Sequence, residues 1–243
     1  MSNLTLPLIS GVDIPVIEIQ ANIHQPRIIE IAYMGEEEFF SAVQFLCITK
    51  NKFEENPQIV AMSNLELLFS VLNNSEKKKE KKNNLMNLLT ILFPDYQPLF
   101  SVNSILLKPR DNSGKIVLID NNTFDILQPI FKEMFCVNLL AKDSYNPASK
   151  KAQEIANKMM QGRAKVAAQK GEIGTSTLAR YISLLSIGIS MSLNEILNLT
   201  IFQLYDLVER YMLYVKWDLD IKTRLAGGTP KDEDKEGWMK NIH

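Results

Sequence analysis

The spacing of apolar residues changes several times along the chain, and each change predicts a different element. From Val12 to Tyr33 it is β-branched and partly alternating: Ile14, Val16, Ile17 and Ile19, then Ile28, Ile29 and Ile31 beyond a break at His24-Gln25-Pro26. Such alternation predicts extended backbone, here two short strands. Gly35 followed by Glu36-Glu37-Glu38 sets carboxylates at the positive end of a helix running to about Thr49, with Phe39, Phe40, Val43, Leu46 and Cys47 facing a core. Ser63 and Glu66 have capping-box spacing, in which each side chain satisfies a backbone N–H of the first turn, so Leu65 to Leu72 reads as helix. Leu85, Leu88, Leu89 and Leu92 mark another helix, which Pro94 stops.

From Val102 the period shortens again. Val102 to Lys108, the polar run Arg110 to Gly114, and Lys115 to Ile119 predict a β-hairpin. Thr123 to Phe135 then carries Phe124, Leu127, Ile130, Phe131 and Met134 on one helical face, with Pro129 inside it. Asn146-Pro147 has the form of a helix start, and an apolar stripe of Ala152, Ile155, Ala156, Met159 and Val166 extends that helix to about Lys170, before Gly171 and Gly174. Thr177 to Ile189 is apolar nearly all round, as in a helix enclosed by others. Ser192 with Glu195 and Thr200 with Gln203 form two more capping boxes, opening a short helix and then a long one closed by Gly227-Gly228. The long helix sets Ile201, Leu204, Tyr205, Val208, Tyr211, Met212, Val215 and Leu219 three and four residues apart. The fold class is therefore α+β. A mixed N-terminal domain, residues 1–145, has short strands and a central β-hairpin; a mainly α-helical C-terminal domain, 146–243, ends in a docking tail.

Composition narrows the function classes. Among 243 residues, 46% are hydrophobic, enough for a sizeable core, so disorder throughout is excluded. Lys+Arg total 27 against 28 Asp+Glu, so no dominant field steers the chain to a polyanion, and nucleic acid is disfavoured. Cys47 and Cys136 read as buried free thiols in a reducing compartment. The opening Met1 to Thr5 lacks the basic and apolar regions of a secretory signal, and Leu178 to Ile189 is shorter than the ~20 residues that cross a bilayer. No membrane association is expected.

The chemistry is sparse. His24 and His243 are the only histidines, so neither a His-based triad nor a zinc set is readily assembled. No phosphate-cradling Gly-Lys-Ser/Thr loop occurs. Glu209, Asp218 and Asp220 lack calcium-loop spacing and read as a solvated face with Lys216, Lys222 and Arg224 as counter-charges. The run Lys77 to Lys82 is diluted by Glu76 and Glu80 and contains no aromatic residue to stack a base, so it reads as a solvated face or the exposed start of a helix. The lysines of 150–170 are the better candidate for an acidic partner or RNA. No catalytic residue, cofactor or metal ligand is assigned, and no enzymatic role is expected. The closing Trp238-Met239-Lys240-Asn241-Ile242-His243 sets three apolar side chains after a charged stretch and should dock, on its own helices or on another protein.

The ordered motifs Asn146-Pro147-Ala148, Ile155-Ala156, Arg180-Tyr181-Ile182-Ser183, Asn198 to Asp206, Glu209-Arg210, Leu225-Ala226-Gly227-Gly228 and Trp238 to His243 resemble a group of proteins encoded in bacteriophage tail modules, the tail-assembly chaperones. The resemblance implies non-covalent binding of phage tail proteins, the tape-measure protein among them, in the host cytoplasm. The alternative it leaves open is a structural tail or baseplate subunit located in the virion tail. Homo-oligomerisation is left open. The partner-binding residues expected on this reading are Tyr205, Tyr211 and Tyr214 of the long helix with Trp238, Met239 and Ile242 of the tail.

Overall fold

A computed structural model describes residues 4–50, 57–75, 77–111, 114–137, 176–229 and 237–239. The class is α+β: two small antiparallel sheets lie in the N-terminal half, and the C-terminal region is helical. The first elements are α1 (Thr5–Ser10), β1 (Ile14–Val16), a 3-10 turn (Ile17–Ile19) and β2 (Ala21–Ile23). The two strands pair with Ile14 opposite Ile23 and Val16 opposite Ala21, and these four side chains turn into the core.

The second isoleucine cluster corrects the expectation of extended backbone from Ile28 onward. Ile28–Met34 is a helix, α2, and the strands are confined to Ile14–Val16 and Ala21–Ile23. The Glu30 carboxylate accepts the Arg27 N–H at 2.8 Å at the helix start, and Ile28 and Ile31 fall on one buried side. Three-residue spacing serves a helix as well as alternation serves a strand, and burial outweighs the weak β preference of isoleucine. Gly35, at φ +99°, turns the chain directly into α3 (Glu36–Leu46), a backbone geometry that an L side chain resists. α3 stops three residues short of Thr49. There the Gln128 amide donates to the carbonyls of Leu46 (3.4 Å) and Ile48, satisfying groups that a longer helix would have paired internally.

After α4 (Pro57–Val60) comes α5 (Asn64–Asn73), opened by the expected box: Ser63 Oγ accepts the Glu66 N–H at 3.1 Å and Glu66 accepts the Ser63 N–H at 2.7 Å. α6 (Lys78–Leu92) begins inside the lysine run, packs along α3, and ends before Pro94. The expected hairpin is part of a three-stranded antiparallel sheet. β4 (Ile105–Pro109) and β5 (Val117–Ile119) pair as predicted, with shorter limits, and β3 (Tyr96–Phe100) adds an edge strand that the apolar pattern did not mark. Pro98 explains the weak signal, since proline cannot donate to a ladder and sits in strands chiefly at edges. α7 (Asn121–Met134) starts two residues earlier than expected because the Asp120 carboxylate accepts the Thr123 N–H at 2.9 Å; Pro129 does not end it.

The C-terminal elements are α8 (Thr177–Gly188), α9 (Leu193–Leu197), α10 (Ile201–Leu225) and a 3-10 turn (Gly237–Met239). Both predicted capping boxes form, Ser192 with Glu195 and Thr200 with Gln203, and the Gly227 and Gly228 N–H groups close α10 on the Arg224 and Thr223 carbonyls. The expectation that Thr177 to Ile189 is enclosed on all sides is corrected: Leu178 and Leu185, two turns apart, are buried, whereas Ile187 is 84% exposed. The helix expected from Asn146 to Lys170 lies outside the described residues, as does the junction between 145 and 146.

The α9–α10 junction is stitched to the N-terminal half by backbone. Arg27 and Thr200 form an antiparallel bridge, the Ile28 N–H donates to the Leu199 carbonyl at 2.9 Å, and the Ile201 N–H donates to the Pro26 carbonyl at 3.2 Å. The Gln203 amide reaches Ile9 at 2.8 Å. One cluster of buried side chains runs from Leu8 and Ile31 through Phe39, Leu88 and Phe131 to Leu185, Ile201 and Val208.

Candidate functional site

The base of α10 is built into that core: Ile201, Phe202, Leu204 and Val208 are buried. At 100° per residue, Ile201, Tyr205, Val208, Met212, Val215 and Leu219 share one stripe. Beyond Val208 the same stripe comes to the surface, with Met212 58% and Leu219 57% exposed. Leu225, in the last turn, is exposed as well. The distal half of α10 thus carries an apolar face with little of it covered by the described residues.

The residues expected to bind a partner separate into three settings. Tyr205 packs edge to face on Tyr181 with ring centroids 5.6 Å apart, and burial, then Tyr181, Cys136 and Glu36, push its phenol well above the ordinary range. The Tyr211 ring lies against Gly188, where an added Cβ would collide with it. These two tyrosines join α10 to α8. Tyr214 lies on the flank opposite the Met212 stripe and meets Trp217 at 6.0 Å and Trp238 at 6.2 Å, the latter edge to face. Arg210 Nη1 donates to the Trp238 carbonyl at 2.8 Å, so the Trp238 segment is docked on its own helix. Met239 is 71% exposed beside it, and Ile242 lies outside the described residues. Trp217 was not among the residues expected at this surface, although its i+3 spacing from Tyr214 is a signal in the sequence, and the apolar period alone does not separate Met212 and Leu219 from the buried members of their stripe.

His24 has more structure around it than its isolation in the sequence suggests. Nδ1 lies 3.0 Å from Asp13 and Nε2 3.1 Å from Glu30. A protonated imidazole donates to both carboxylates, whereas a neutral ring can donate to one only. The Glu30 hydrogen bond raises the His24 pKa above its ordinary 6.5 against the opposing effect of burial, with Asp13 adding to the rise. Burial alone would raise Glu30, but His24 and the Arg27 N–H together bring it below its ordinary 4.5. Because the folded His24 pKa is raised, its contribution is complete below 6.5 and is lost as pH rises through the folded value; the Glu30 contribution is present above 4.5 and is lost as pH falls through its folded value. The destabilisation caused by His24→Ala, measured by thermal unfolding, is accordingly expected to be largest between these limits and to shrink as pH rises through the raised folded value of His24. A difference that went on growing as pH rose above 6.5 would contradict the bridge.

No catalytic constellation accompanies these features among the described residues. Burial, with Asp206, Glu209 and Glu133 nearby, pushes the Cys136 thiol up to about 12, which keeps it protonated and unreactive at neutral pH. Cys47 is likewise a buried free thiol. Among the described residues no group of three or more His, Cys, Asp and Glu side chains could hold a metal ion, and no helix is long and apolar enough to cross a membrane. Asp218 is paired with Lys222 one turn away.

Fold and surface together describe an α+β protein whose helical C-terminal region presents an apolar helix face. Residues 168–243, which take in α8, α9 and α10, match the family model described as the YomV second domain, a phage-derived family of SPbeta prophage type. Comparison with curated proteins and with solved structures returned no match.

Proposed function

We propose that the chain is a non-enzymatic phage tail-assembly protein that captures a tail component, the tape-measure protein foremost, on the distal face of α10. The observation that carries this reading is the stripe of Met212, Val215 and Leu219, which continues a buried seam onto the surface. Apolar surface of this kind beside charged residues is what an aggregation-prone client requires, and methionine adapts to varied partners. The phage-derived match over 168–243 and the motif resemblance supply the biological setting. Capture would take place in the host cytoplasm without a cofactor.

Co-purification from cells expressing the neighbouring tail genes is expected to recover a tail protein with this chain, and recovery of none would count against the reading. Mass spectrometry of mature particles separates the chaperone role, in which the chain is absent, from that of a structural tail or baseplate subunit, in which it remains.

A further inference from the structure

The first two turns of α6 hold Lys78, Lys79, Lys81 and Lys82, and none of the four is ion-paired with another described residue; Lys77 pairs with Glu80 at 3.3 Å, and the Lys81 ammonium lies over the Phe45 ring. Lys78 and Lys82 are four residues apart, so their like charges share one face, where the helix's own partial charge is also positive. That face borders a groove of about 230 Å³ whose apolar lining is Phe69 and Leu72 of α5, Phe100 of β3, and Val102. Phe69 and Phe100 meet edge to face at 5.9 Å, and the Lys82 ammonium lies 5.3 Å from the centre of the Phe100 ring. The aromatic residues missing from the lysine run are thus supplied by other elements. Two like charges held together beside exposed apolar surface are unfavourable for the isolated chain, a local conflict of the sort found at functional sites.

We propose that this groove docks an acidic segment of a protein partner, with one aromatic or aliphatic side chain seated against Phe69, Phe100 and Val102 and carboxylates placed on Lys78 and Lys82. Charge complementarity selects the occupant. A nucleic acid fits less well. Lys82 already covers a face of the Phe100 ring, which a base would need for stacking, and the net charge of −1 provides no extended field to gather phosphates. The groove lies outside residues 168–243, so the contact is separate from the α10 face.

The test uses the full chain and fluorescence anisotropy with three labelled probes: an Asp/Glu decapeptide carrying one central Phe, the same peptide with Ala in that place, and a single-stranded oligothymidylate. The Phe peptide is expected to bind saturably and more tightly than the Ala peptide. Lys78→Glu and Lys82→Glu should each weaken it by about fivefold or more, because each removes an attraction and adds a repulsion. Lys79→Glu, on the same helix but not lining the groove, should change it by less than about twofold. All three positions are exposed, and circular dichroism checks that the variants fold. Equal binding of the two peptides, equal loss in all three variants, or tighter binding of the oligonucleotide at Lys78 and Lys82 would overturn the proposal.

Discussion

Replacing Met212 and Leu219 together with aspartate is expected to abolish recovery of a tail component while leaving the thermal midpoint of the protein nearly unchanged. Both side chains are more than half exposed, so little of the native core is lost. Surface substitutions away from buried features usually fall within about ±0.5 kcal/mol. In a complex each side chain would be covered, and burying one large apolar side chain contributes about 1.5–3 kcal/mol. Because a little over half of each side chain is exposed to begin with, loss of both removes about 2–3.5 kcal/mol of association, roughly one to two and a half orders of magnitude in affinity, before the cost of desolvating two carboxylates is added. Capture that survived the double substitution would place the contact elsewhere. A large fall in stability would show instead that the stripe is covered by this chain itself.

Phe135→Ala should act in the opposite way, on the fold. Phe135 is 1% exposed at the end of α7, meets Phe39 edge to face at 5.7 Å and stacks near Phe131 at 6.4 Å. Truncating a buried phenylalanine costs about 3–5 kcal/mol, part transfer free energy and part residual cavity. Against a total stability of about 5–15 kcal/mol this is a large share, and at about 2–4 °C per kcal/mol it lowers the midpoint by roughly 10 °C. Ile187→Ala, at an exposed position of α8, is the matched control, expected within about 0.5 kcal/mol. A loss below about 1 kcal/mol at Phe135 would mean that the ring cluster relaxes around the gap.

What could be read from the chain was what depends on near neighbours. Ser63 with Glu66, Ser192 with Glu195 and Thr200 with Gln203 are three residues apart, and the backbone groups they satisfy lie in the same turn, so three helix starts were legible. The hairpin from Ile105 to Ile119 was legible for a similar reason. Elements whose arbiter is distant were not. Ile28–Met34 reads as extended backbone, and burial of Ile28 and Ile31 makes it a helix; Tyr96–Phe100 is a strand only because β4 pairs with it. The candidate surface was half legible: the stripe on α10 could be written down, but the place where it leaves the core, after Val208, could not.

The sequence by itself determined the α+β class, the capping boxes that begin three of its helices, the buried state of Cys47 and Cys136, and the apolar stripe of the long helix. Each follows from local hydrogen bonding or from the period of apolar residues. Tertiary structure alone decided which side chains on that stripe are covered, that Trp238 docks against Tyr214, that His24 joins Asp13 to Glu30, and that Phe100 lies under Lys82. These are meetings between separate elements, and periodicity within one element sets which face is apolar without setting what lies against it.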